Sequence, residues 1–81
     1  MRYKVLVVLE KAPRNYSAYA PNVPGCIAAG KTIEETLELM QEALQAHLEW
    51  MAQDGDLMPE ISAVDAHVLE IEVSTPTTVT A

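Results

Sequence analysis

The segment from Pro21 to Glu35, PNVPGCIAAGKTIEE, constrains this chain more than any other stretch. Pro21 and Pro24 cannot donate to a β-ladder, so a strand that precedes them has to stop. Gly25 permits the turn that Pro24 opens. Cys26 to Ala29 can then run as a short strand of small residues, ended by Gly30. Thr32 followed three residues later by Glu35 is a capping box, which satisfies orphan N–H groups at a helix start. The stretch contains no catalytic pair.

The flanking sequence supplies the other elements. Tyr3 to Glu10 reads as a strand rich in Val and Leu, apolar on both faces in its middle. That pattern suits a central strand, or one whose second face is covered by another subunit. Lys11 to Asn15 is a turn, and Tyr16 to Ala20 is a second strand expected to pair antiparallel with the first. A long helix is predicted from Ile33 to about Gln53, roughly 30 Å at the usual rise, with Gly55 and Pro59 as its stop. Residues 54–62 form a loop. Asp65 to Val73 reads as a last strand, with His67, Leu69, Ile71 and Val73 on one face and Glu70 and Glu72 on the other. Residues 1–73 then make a single domain and 74–81 a frayed tail. The order β-β-β-α-β is an α+β arrangement, one long helix packed on a small antiparallel or mixed sheet. A crossover between parallel strands would be right-handed.

The helix carries two apolar ridges. At about 100° per residue, Ile33, Leu37, Met40, Leu44, Leu48 and Met51 fall on one side and are expected to face the sheet. Leu39, Ala43, Ala46 and Trp50 form a second ridge rotated away from the first. Two ridges call for two packing partners. The second is expected to be another copy of the chain, giving a homo-oligomer (a dimer or tetramer), unless loop 54–64 folds over Trp50. Glu34, Glu38, Glu42 and Glu49 line the remaining face. Their mutual repulsion costs a few tenths of a kcal/mol per pair, partly offset near the positive helix N-terminus. That face is either a solvated surface or an acidic docking surface.

Charge and composition narrow the function. The chain has 81 residues and a net charge of −7, and no Lys or Arg follows Lys31. A phosphate backbone needs a basic stripe, so direct nucleic-acid binding is not expected; an acidic surface suits a basic protein. One cysteine leaves no internal disulfide framework and fits a reducing compartment. Met1 to Lys4 leads straight into the first strand with no signal-peptide pattern, and the longest apolar run, Val5 to Leu9, is too short to span a bilayer. A soluble, cytoplasmic protein is expected.

The side chains that could carry chemistry do not form a recognisable set. Cys26, His47 and His67 match no metal-ligand spacing, so neither metal nor cofactor is expected. Tyr16 and Tyr19, three apart, fall on opposite faces of their strand and cannot make a continuous stacking platform. Gly30-Lys31-Thr32 mimics the end of a phosphate loop but lacks the glycine and buried strand that should precede it.

The run Tyr16-x-Ala18-x-x-Pro21-x-x-Pro24-Gly25-Cys26-x-x-x-Gly30-x-Thr32-x-Glu34-Glu35 resembles the HicB-like antitoxin domain family, over about residues 1 to 73. The resemblance implies a partial ribonuclease H-like fold without nuclease carboxylates. It also implies oligomerisation and the neutralisation of a small HicA-type mRNA-cleaving toxin. Many members add a helix-turn-helix or ribbon-helix-helix domain that binds operator DNA; with the sequence ending at Ala81, that activity is not expected here. Pro13-Arg14-Asn15 replaces the Asp-Gly-Gly type of turn found in many relatives. The motif fixes no toxin-contact residue.

The expectation is therefore a non-catalytic interaction module that masks a small basic toxin. One alternative is an orphan oligomeric domain that binds another protein or a small ligand. A further alternative is a residual metal-dependent nuclease, for which Glu10, Glu70 and Glu72 are the only strand carboxylates available.

Overall fold

A computed structural model describes residues 2–74 of the chain. Three strands, β1 (Val8–Lys11), β2 (Tyr16–Tyr19) and β3 (Ile27–Gly30), precede one long helix, α1 (Ile33–Asp54). The strands form one antiparallel sheet in the order β1-β2-β3. The α+β class and the β-β-β-α order expected from the sequence are what the chain adopts.

The sheet is short because its chemistry ends it. Val8 pairs with Tyr19 and Lys11 with Tyr16, across a turn closed by a hydrogen bond from the Ala12 N–H to the Asn15 carbonyl (2.9 Å). Beyond Tyr19 the partner strand reaches Pro21, which has no N–H to donate. The ladder stops there, so β1 starts at Val8 and residues 2–7 run on outside the sheet. A turn follows, in which the Val23 N–H donates to the Ala20 carbonyl and Gly25 adopts a positive φ of 86°. That conformation is one glycine takes without a Cβ penalty. Of the two readings of the first strand, central or with its second face covered by another subunit, the central one does not hold: among the described residues β1 is an edge strand.

The inner face of the sheet is built from small residues. Leu9, Ala18 and Ala28 stand in one cross-strand row, Tyr16 and Gly30 in the next. This low surface lets α1 settle closely on β2 and β3. Ala18, Ala20, Val23, Cys26, Met40 and Leu44 form the buried core, with Val5, Val7, Leu9, Ala28, Ala43, Leu48 and Ile61 packed around it.

The helix ends as expected. The Thr32 side chain accepts from the Glu35 N–H (3.0 Å), and the Glu35 carboxylate accepts from the Lys31 N–H (3.2 Å). The return bond thus reaches one residue earlier than in the usual box, where it goes to the cap residue itself. Gly55, at φ 72°, closes the C-terminus in the left-handed conformation.

Two expectations need correction. The helix does not present Ile33 and Leu37 to the core; both are exposed, and Thr36 is fully buried with Met40 and Leu44. The last strand, residues 65–73, is not formed: among the described residues nothing after Gly55 joins a ladder. Its alternating pattern suits a strand, but a strand needs a neighbouring edge to supply hydrogen bonds. Here residues 64–74 are exposed and carry no regular secondary structure. Of the expected tail, 74–81, all but Ser74 lies outside the described residues.

Candidate functional site

The helix brings the acidic residues together on one exposed surface. Glu34, Glu38, Glu42 and Glu49 are all exposed on α1, and Glu35 adds a further carboxylate in the first turn. Among the described residues, Glu49 alone of these four accepts a side-chain hydrogen bond, from Gln45 Nε2 (2.6 Å). The last turn carries no basic residue to balance them.

The second ridge borders that acidic face. Leu39 and Ala46 are exposed, and Trp50 keeps 63% of its surface open to solvent. Ala43 differs: it is half-buried and packs against the core. The loop after the helix does not cover Trp50. It passes Met58 along the opposite flank, towards Arg2 and Tyr3. The helix therefore offers a strip of carboxylates beside a strip of apolar surface. Such a strip suits a partner with basic and apolar side chains.

The loop is pinned at its far end. Asn22 Nδ2 donates to Ser62 Oγ (3.1 Å), and the Ala63 N–H donates to Asn22 Oδ1 (3.0 Å). Ile61 packs against the core beside this contact. Asn22 lies inside the proline-rich turn, and nothing in its spacing signalled a role. Its partner sits some forty residues away, beyond the reach of local pattern.

The potential reactive groups are scattered. Cys26 is a buried free thiol whose pKa is pushed up by burial, which disfavours the nucleophilic thiolate. His47 is half-buried on the helix, while His67 is exposed, with Nε2 3.1 Å from Asp65 Oδ2. Among the described residues, no group of three or more His, Cys, Asp or Glu side chains could hold a metal ion. Glu10 is on β1, and Glu70 and Glu72 are on the projecting segment. Tyr16 is half-buried with the helix-facing row, and Tyr19 is exposed on the opposite face of β2. No helix among the described residues is long and apolar enough to cross a membrane.

The chain is a small α+β fold whose helix carries an exposed acidic strip beside an exposed apolar one. A family model described as the HicB_like antitoxin of bacterial toxin-antitoxin systems matches residues 3–80. The chain belongs to this family. It is similar to an uncharacterised 14.9 kDa protein from the rep-hol intergenic region of Haemophilus phage HP1, with 30% identity over 66 residues; these are 82% of this chain and 50% of the relative. The chain thus spans about half the length of that phage protein. A UPF0150 protein of Helicobacter pylori is 30% identical over 67 residues, covering 83% of this chain and 90% of the relative. UPF0150 protein Ta0767 of Thermoplasma acidophilum is 29% identical over 68 residues, covering 84% and 97%.

Proposed function

We propose that this chain is a non-catalytic antitoxin module that binds and masks a small, basic, mRNA-cleaving toxin of the HicA type in the cytoplasm. Its membership of the HicB-like antitoxin family carries the reading. The physical support is the exposed acidic strip of α1, in a chain of net charge −7. A toxin that grips RNA has to present a basic surface, and a carboxylate strip competes for that surface. Glu34, Glu38, Glu42 and Glu49 are assigned as the docking face.

The neighbouring ridge of Leu39, Ala43, Ala46 and Trp50 is assigned to self-association. Ala43 contributes from the inner border, and Trp50 supplies the exposed aromatic anchor that such interfaces favour. Trp50→Glu places an unpaired charge in that contact and is expected to weaken it.

Co-expression with a small, basic HicA-type toxin tests the antitoxin role. A stable complex and rescue of growth are expected. Neither complex nor rescue would leave only the fold.

A further inference from the structure

The helix covers one face of the sheet, and the face turned away from it is apolar too. Leu9, Ala18 and Ala28 lie on the helix side, so Val8, Tyr19 and Ile27 stand in one cross-strand row on the far side, with Glu10, Ser17 and Ala29 in the next. Tyr19 and Ile27 keep 39% and 74% of their surface open to solvent. An antiparallel sheet with one wet face normally puts polar residues outward. Here the outward row is apolar from one edge strand to the other, which marks a contact surface rather than a solvated one.

The lead-in to β1 continues the alternation. Val5 and Val7 pack with Leu9 against the core, which turns Lys4 and Leu6 to the same side as Val8 and Glu10. Lys4 and Glu10 are exposed, while Leu6 and Val8 are half-buried. Along this strand the far side is therefore basic, apolar, apolar, acidic. Arg2 falls on that side as well, and Lys11 on the other with Tyr16 and Gly30.

We propose that a second copy of the chain covers this far face, sheet against sheet. The twofold axis runs between the sheets and across the strands at the level of Val7, midway between Lys4 and Glu10. Such an axis reverses the strand direction, so β1 of one copy lies over β1 of the other. Lys4 and Glu10 each lie three residues from the axis, about 10 Å, so each Lys4 meets the Glu10 of the partner. The two Val8-Tyr19-Ile27 rows flank the axis and interdigitate, as inner faces do in stacked sheets. The surface is thus complementary to itself, which is what a closed twofold contact requires. A basic toxin gains no attraction here, because the strands offer one acid and the lead-in two bases. The contact lies on the opposite layer from the Leu39–Trp50 ridge and rests neither on that assignment nor on the toxin.

Charge exchange within one chain tests the pairing, in a Trp50→Glu background that removes the helix ridge. The parent is expected to be a dimer by light scattering at micromolar concentration. Ile27→Asp buries an unpaired charge in the contact and is expected to weaken the dimer at least about tenfold. Lys4→Glu alone, or Glu10→Lys alone, sets like charges opposite each other and is expected to weaken it measurably; the chain carrying both changes restores the pairing and the dimer. Residues 4, 10, 27 and 50 are all exposed, so helix content by circular dichroism is expected to hold. A monomeric parent would overturn the proposal, as would a dimer indifferent to Ile27→Asp, or a double exchange as weak as the single ones. A monomeric parent that binds a HicA-type toxin and loses it on Ile27→Asp would give the face to the toxin instead.

Discussion

A Cβ added at Gly30 would lie 2.8 Å from Thr36 Oγ1 and 3.0 Å from the Thr36 backbone nitrogen. The last residue of β3 and the first turn of α1 therefore touch backbone to backbone. The Thr36 hydroxyl is fixed in place by donating to the Thr32 carbonyl (2.7 Å). Gly30 is required here for space, since the facing atoms belong to a buried side chain and to main chain.

Gly30→Ala is expected to destabilise the fold by about 1–3 kcal/mol, the usual cost of overpacking a close contact. In a domain this small, each kcal/mol lowers Tm by about 4–8 °C. The penalty should shrink in a Thr36→Ala background, where the nearer of the two atoms is gone. A double-mutant cycle by urea denaturation measures that coupling, and equal penalties in both backgrounds would disprove the contact.

Asn22 ties the segment after the helix to the turn after β2. Asn22→Ala removes both hydrogen bonds to Ser62 and Ala63, at about 1 kcal/mol each. The expected signature is local: amide exchange at Ala63 accelerates while the middle of α1 stays protected. Unchanged exchange at Ala63 would show that Ile61 alone holds the loop.

Cys26 makes stability fall at alkaline pH. Burial raises its pKa, so the folded chain holds the thiol proton to higher pH than the unfolded chain does. The stability tied to this proton is complete below the unfolded thiol value, about 8.5, and is lost as pH rises through the raised folded value. Cys26→Ala should flatten that part of the stability-against-pH curve. Iodoacetamide should modify the native thiol far more slowly than the urea-unfolded one at pH 8, as judged by mass spectrometry.

Local punctuation was legible in the sequence. Thr32, Glu35 and Gly55 bound the helix through short-range hydrogen bonds, and Pro21 and Gly25 end one strand and turn the chain. Helix orientation was less legible, because it depends on the surface beneath. The small inner face at Ala18, Ala28 and Gly30 draws the helix N-terminus so close that Thr36 fits at the contact, while Ile33 and Leu37 are left at the sides. Periodicity ranks side chains by apolarity and cannot foresee that. Residues 65–73 show the same limit. Alternation defines the two faces of a strand but not the edge that receives it. The acidic face was legible as a face, since four exposed glutamates at helical spacing need only the helix to align them.

The central claim is that the exposed helix face captures a basic toxin. Titration calorimetry of the purified chain against a small, basic HicA-type toxin tests this directly, with wild type compared to Glu38→Lys/Glu42→Lys. The account predicts tight binding that weakens as salt rises, and a loss of at least about tenfold in affinity for the charge-reversed chain. Equal affinity for the two chains, or no binding by wild type, would contradict it.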